Sequence, residues 1–311
     1  MKLAKTLVIG GANLDITGSC QNRLIPGDSN PGTVKSSAGG VGRNIAENLA
    51  RLGCQCTLIS AVGHDIGKDI IEKSCTDSGV NSEHLIEYPD ASTGSYLAIN
   101  NQLGALLAAI ADMSVIEKLS PEILASKVQL FKTHQQVVAE ANLNEDTLIW
   151  IAKNKQQRPL YVDAVSATKA PKLRNILTQI DILKVNREEA SAILETQDDD
   201  AGLATALLEK GVKTVLLSQG PHGAMACTDG VIVRKAAIKG VNASDTGAGD
   251  ALFAGFIAAR QLLVSPADQL EFAIACATFT LNSQISVNPE LSVDMISAKY
   301  LSHLRKSAWH I

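Results

Sequence analysis

Ala38-Gly39-Gly40-Val41-Gly42-Arg43-Asn44-Ile45-Ala46-Glu47-Asn48-Leu49 is a glycine-rich turn that runs without a break into a helix, with apolar residues at Ile45, Leu49 and Leu52 in the 3.6-residue period of a one-sided helix. Paired glycines let a ligand lie against bare backbone, and Asn44, one turn in, both donates to and accepts from a hydroxyl. A dinucleotide site carries its glycines directly after the first strand. The later position of Gly39 and Gly40 fits sugar recognition better than pyrophosphate recognition.

Outward from this turn, short β-branched runs alternate with longer amphipathic ones. Thr6–Ile9, Thr57–Ser60, Gln136–Ala139, Leu160–Asp163, Ile182–Val185 and Thr214–Ser218 read as strands. Helical patterns lie near 42–53, 66–79, 120–131, 145–155, 187–195 and 200–210, then at 249–264, 266–281 and 291–304. Such alternation predicts an α/β fold, a mostly parallel central sheet between two helical layers, with ligands gathering at the carboxyl ends of the strands. A single domain over 1–311 accommodates it. Two regions break the rhythm, about 14–37 and 91–110, where Ser95–Asn100 and Gly104–Ile110 flank a turn at Asn101-Gln102. Both read as antiparallel excursions. Together they form either a small β lid over the carboxyl edge or a surface hairpin with no role, and their open edges suit pairing into a homodimer.

The 311 residues are 46% hydrophobic and 19% charged, enough for one large α/β domain or two small ones. The net charge of -4, with lysines and arginines scattered along the chain, gives no electrostatic reason to bind a nucleic acid polymer. The apolar run ending at Gly10 is too short for a signal peptide, and no stretch approaches a membrane span. Six dispersed cysteines fit reduced thiols in a cytoplasm, and Cys54-Gln55-Cys56 has no second ligand pair to make a metal site. Asp198-Asp199-Asp200 is most simply a solvated helix start.

Four further segments carry chemistry. Asp15, in Gly11-Ala12-Asn13-Leu14-Asp15 after the first strand, is placed either as a turn former or to accept two sugar hydroxyls. In Lys184-Val185-Asn186-Arg187-Glu188-Glu189, an amide and a carboxylate one turn apart hold a hydrated Mg²⁺ beside phosphates, or else make a helix cap and capping box. Ser218-Gln219-Gly220-Pro221-His222-Gly223 is a phosphate-touching glycine turn or a hairpin into Ala224–Cys227. Ser244-Asp245-Thr246-Gly247-Ala248-Gly249-Asp250 opens a helix with glycines that aim backbone N–H groups at an anion, and Asp250 stands at the junction where a hydroxyl would meet it.

At these residues the chain resembles the PfkB, or ribokinase-like, family of carbohydrate and nucleoside kinases from end to end. Gly39-Gly40 with Asn44 matches one family signature and Gly247-Ala248-Gly249-Asp250 the other. Asn186 with Glu189 matches N-x-x-E, Gly63-His64-Asp65-Ile66-Gly67 resembles G-x-D-x-x-G, and Ser218-Gln219-Gly220 the nucleotide turn. The resemblance implies a ribokinase-like three-layer sandwich with a β lid, and transfer of the ATP γ-phosphoryl group to the 5′-hydroxyl of a ribosyl group. Asp28-Ser29-Asn30-Pro31-Gly32 and Asn288-Pro289-Glu290-Leu291-Ser292 favour pseudouridine as acceptor, with ribose and other nucleosides as alternatives. It implies that Asn13, Asp15, Asn30, Gly39, Gly40, Asn44, Thr93 and Ser95 face the acceptor, with Asn30, Thr93 or Ser95 reading the base. Asn186, Ser218, Gly220, Gly223 and Asn282 face ATP, and Glu189 holds Mg²⁺ through water. Asp250 orients the hydroxyl and takes its proton, with the N–H groups of Gly247, Ala248 and Gly249 on the transferring phosphoryl. Many relatives read Asp-Thr-Thr-Gly where this chain has Ser244-Asp245-Thr246-Gly247, which leaves K⁺ activation open. Two other classes are a catalytically silent sugar-binding regulator, against which Asp250 speaks, and a nicotinamide oxidoreductase, against which the glycine placement speaks.

Overall fold

A computed structural model describes residues 3–238, 246–304 and 308–309. Its strands are β1 (Thr6–Ile9), β2 (Asn13–Cys20), β3 (Gly32–Gly39), β4 (Cys56–Ile59), β5 (Ala61–Gly63), β6 (Ile86–Tyr88), β7 (Ser95–Asn100), β8 (Leu106–Asp112), β9 (Gln136–Glu140), β10 (Leu160–Asp163), β11 (Ile182–Asn186), β12 (Thr214–Ser218), β13 (Ala224–Thr228) and β14 (Val231–Lys235). The helices are α1 (Val41–Arg51), α2 (Ile66–Ser78), α3 (Pro121–Ala125), α4 (Val128–Thr133), α5 (Glu145–Asn154), α6 (Arg187–Leu194), α7 (Asp200–Glu209), α8 (Ala248–Leu262), α9 (Pro266–Thr280) and α10 (Val293–Tyr300), with a 3₁₀ segment at Ala170–Gln179.

Eight strands form the main sheet in the order β14-β13-β12-β11-β10-β9-β1-β4. From β12 to β4 every pairing is parallel, and β13 and β14 close one edge antiparallel. Parallel strands buried on both faces must be apolar on both, and the period of two divides them cleanly. Leu7, Ile9, Val137, Ala139, Val215 and Leu217 pack under α3 to α7 in one core. Val8, Val138 and Leu216 pack under α1, α2, α8 and α9 in the other. Winding reverses at β1, which lies between β9 and β4. Such a switch point leaves a crevice at the strand ends.

The two excursions join into one four-stranded sheet, β3-β2-β7-β8. Each hairpin is antiparallel as expected, but the pair is sewn together by a parallel β2–β7 contact. Its register separates two faces. Leu14, Ile16, Leu97, Ile99 and Ile110 share one with Val34, while Asp15 and Thr17 share the other with Ser37 and Tyr96.

Several expected elements are redrawn. The helix expected over 120–131 is two, because Ser126 Oγ turns back onto the Ile123 carbonyl (2.7 Å) at the end of α3. The helix expected over 291–304 spans only Val293–Tyr300, started by the Ser292 cap. The turn at 218–223 leads into the hairpin β12–β13, one of its two sequence readings. Asp199 caps α7 by accepting from Gly202 N at 2.7 Å, so the acidic run is a helix start. All six cysteines are free thiols. Among the described residues no helix is long and apolar enough to cross a membrane.

Candidate active site

Four neighbouring parallel strands each finish their apolar run on a polar residue at the same edge: Glu140 on β9, Asp163 on β10, Asn186 on β11 and Ser218 on β12. The register pairs Glu140 with Asp163 and Asn186 with Ser218. A parallel sheet thereby brings together residues from 140 to 218 without any local sequence pattern linking them. Glu140 is fully buried and accepts from Gly11 N (2.5 Å) and Asn142 N (2.6 Å), which ties β9 to the turn after β1.

The glycines of the two N-terminal turns interlock. A Cβ on Gly40 (φ 96°) would lie 2.5 Å from the Gly11 carbonyl oxygen, one on Gly42 2.8 Å from the Gly10 backbone, and one on Gly39 would fall on the Asp15 carboxylate. On the side where a Cβ would stand, the bare backbone at Gly39 and Gly40 is packed by the protein's own chain. Asp15, an expected sugar ligand, lies in β2 rather than in a turn. It accepts from Asn13 Nδ2 (2.7 Å) and Ser286 Oγ (3.0 Å). Burial raises its pKa, and these two hydrogen bonds oppose the rise.

Across the cleft, α8 begins at Gly247, which has φ 80° and provides no side-chain cap. A Cβ there would fall on the Ser286 carbonyl, so only glycine fits. An uncapped first turn leaves its N–H groups and the positive helix end for an anion. Asp250, in that turn, is 8% exposed and accepts from Asn44 Nδ2 at 2.7 Å. Segments 206 positions apart meet in that bond. Ser286, touching both Asp15 and Gly247, is a second bridge. Burial pushes Asp250 up to about 7; Asp163 adds to the rise, and Asn44 and Lys184 resist it.

Beside Asp250 lies a cation that no motif singled out. Lys184 is buried on β11, with Nζ 3.2 Å from Asp163 Oδ2 and 3.3 Å from Oδ1. A Cβ built on Gly249 would stand 3.3 Å from that same Nζ, so the ammonium borders the glycine turn. Burial works against its charge, but Asp163, Glu189 and Asp250 outweigh that and raise its pKa. Asp163 Oδ2 has no hydrogen-bond partner of good geometry, so the ion pair leaves one buried lone pair unused.

Asn186 and Glu189 make the capping box: Asn186 Oδ1 accepts from Glu189 N (2.8 Å) and Glu189 Oε2 from Asn186 N (2.8 Å). Each carboxylate oxygen keeps a second lone pair. Among the described residues no cluster of three or more Asp, Glu, His or Cys side chains could cage a metal. Asn186 and Glu189 offer an amide and a carboxylate, a donor set that fits an ion keeping most of its waters, as Mg²⁺ does. A groove of about 750 Å³ opens alongside, lined by Asn186, Asp200, Ser218, Gly220 and His222.

Other expected site residues are used elsewhere. Thr93 donates its hydroxyl to Asp65 (2.6 Å) and accepts from Gly63 N (2.9 Å), which pins the start of α2. Asn30 is spent inside its own loop, on Ile25 N (2.7 Å), Ile25 O (3.0 Å) and Asp28 O (2.9 Å). Ser95 pairs with Leu14 and so takes the lid face opposite Asp15. Gly223 (φ 106°) packs against the Lys235–Ala237 backbone at the entry to β13. Asn282 closes the end of α9, donating to the Thr278 carbonyl at 3.0 Å. Ser244 and Asp245, on which K⁺ activation turned, lie outside the described residues.

Comparison with known proteins follows the same line. The pfkB family carbohydrate kinase model matches residues 3–291. A pseudouridine kinase of Escherichia coli K12 is 36% identical over 292 residues, covering 92% of this chain and 93% of that one. The E. coli sugar kinase YeiI is 33% identical, over 93% of this chain and 81% of its own. A solved carbohydrate kinase from Agrobacterium tumefaciens superposes with a TM-score of 0.85 at 31% identity, covering 96% and 97% of the two chains.

Proposed function

The chain belongs to the pfkB family of carbohydrate kinases, and from that premise we propose that it transfers the γ-phosphoryl group of ATP to the 5′-hydroxyl of pseudouridine. The observation that carries the phosphotransfer is the Asn44–Asp250 contact, which sets a carboxylate poised near neutrality between a sugar-side amide and an uncapped helix start. Asp15 and Asn44 hold the ribosyl hydroxyls, and Asp250 orients the attacking 5′-hydroxyl. An alcohol is far less acidic than a carboxylic acid, so the proton reaches Asp250 only as the new P–O bond forms and the bond to the ADP oxygen breaks. The N–H groups of Gly247, Ala248 and Gly249, with Lys184 beside them, meet the charge on the transferring group. Glu189, next to Asn186, would hold Mg²⁺ through water, and the ion would supply charge neutralisation to the phosphates.

The acceptor rests on likeness to a pseudouridine kinase, with the sugar kinase YeiI close behind. Pseudouridine differs from uridine in a free ring N1–H, which needs a buried acceptor to be selected. Hydroxyls on the Asp15 face of the lid, Thr17, Ser19 and Ser37 among them, are the candidates for that acceptor. Turnover measured with pseudouridine, uridine, adenosine and ribose, each with MgATP, is expected to give pseudouridine a kcat/KM at least about tenfold above the others. A preference for ribose sinks the assignment and leaves the kinase.

The lid also supports a homodimer. Its face away from Asp15 shows Val34 at 76% and Ile110 at 67% exposure, and a contiguous apolar face in water marks a contact surface. Ile110→Lys is expected to convert a dimer into a monomer by sedimentation velocity. The free thiols of all six cysteines suit a reducing cytoplasm.

A further inference from the structure

Arg43 is 2% exposed, deeper than an unshared guanidinium tolerates. Its donors are divided among three elements. Nε donates to the Gly39 carbonyl at 3.0 Å, Nη1 to Ser74 Oγ on α2 at 2.9 Å and to Glu47, and Nη2 to Asn44 Oδ1. Glu47 does not depend on it, because Arg51 Nη2 and Nε also reach Glu47 Oε1, at 2.7 and 2.9 Å. The connection to Asn44 is the one with chemical consequence. An amide side chain offers a donor end and an acceptor end that differ only by a half-turn. With its oxygen held by a permanent cation, Asn44 can turn only its NH₂ toward Asp250, the bond seen at 2.7 Å. The same guanidinium anchors the Gly39 carbonyl, and Gly39 is the residue packed on the Asp15 carboxylate.

The geometry points to Arg43 as a positioning residue for phosphoryl transfer: it fixes the amide orientation of Asn44 against Asp250 and, through Gly39, the seat of Asp15. The inference rests on the kinase assignment above. Nothing in it touches the groove beside Asn186, whose lining comes from the ends of β11 and β12, the starts of α6 and α7, and the turn at 219–222.

The test uses the full chain with the nucleoside or sugar that the wild type phosphorylates fastest. Arg43→Met leaves Glu47 paired with Arg51. Its kcat is expected to fall about 10²-fold, the effect of a small misplacement of reacting groups, with acceptor KM raised and ATP KM within about twofold of wild type. Arg43→Lys keeps the charge beside Glu47, and with it the fold, but one ammonium cannot serve Gly39, Ser74 and Asn44 together, so it is expected to show the same split. Glu47→Gln removes the ion pair and spares the contacts to Gly39 and Asn44; it is expected to lower the Tm while keeping kcat. Arg43→Lys at wild-type kcat, or Glu47→Gln and Arg43→Met losing kcat in parallel, overturns the proposal. A wild type that transfers phosphate to no acceptor instead sinks the kinase assignment, which is a separate result.

Discussion

Asp250→Asn is expected to lower kcat by about 10³- to 10⁴-fold, the upper range for a positioned proton acceptor, while the KM for ATP and for the acceptor stay within a few-fold. Asn keeps the shape of the side chain and its bond to Asn44 but cannot take a proton from the attacking hydroxyl. A coupled assay of ADP formation measures it, and turnover near wild type would remove Asp250 from the base role. The same side chain sets the pH dependence. Asp250 must be ionised to act and its pKa is pushed up to about 7, so wild-type kcat/KM is expected to fall below about pH 7. Burial sets that rise first, and the groups facing it modulate it: Asp163 from β10 and Glu140 from β9 add to it, while Asn44 from α1 and Lys184 from β11 oppose it. Stability moves the opposite way. A carboxyl with a raised folded-state pKa stabilises the fold at pH below its ordinary value, and that contribution is lost as pH climbs toward 7. At pH 8 the inactive Asn variant is therefore expected to melt higher than wild type, by an amount worth a few kcal/mol.

Lys184→Met is expected to cost about 10²- to 10³-fold in kcat, the scale seen when one donor to a developing charge is removed. The single change also strands Asp163 as a buried charge, which costs about 3–5 kcal/mol, so loss of activity alone would be ambiguous. The double variant Asp163→Asn/Lys184→Met removes both charges and is expected to recover the Tm without recovering turnover. If the double variant regains wild-type kcat, Lys184 serves only as a counter-ion to Asp163, and the charge on the transferring phosphoryl group is met by the helix start alone.

Much of this was legible in the chain. Apolar period fixed the strand edges to within a residue or so, because strands buried on both faces tolerate few polar residues. The two glycine signatures located Asn44 and Asp250, since a turn entering a helix has a local pattern. Glu140, Asp163 and Lys184 have none: each is a polar residue in a mostly apolar strand, and only the register of a parallel sheet makes them neighbours. A polar residue ending strand after strand was the available signal. The surroundings of Thr93, Asn30 and Ser95 were hidden for the complementary reason. Sequence gives a polar residue's place but not which protein group has already claimed its hydrogen bonds or which lid face it occupies.

Glycine is the residue to which hinges are usually assigned, yet where the lid strands meet the body it acts as a rivet. β2 leaves, and β3 returns, through turns whose backbones touch with no room for a methyl group. Any closure of the lid would then be absorbed as twist along the two ribbons, farther out than the place where they are fastened. Gly40→Ala or Gly42→Ala would accordingly loosen the whole molecule rather than stiffen its cover.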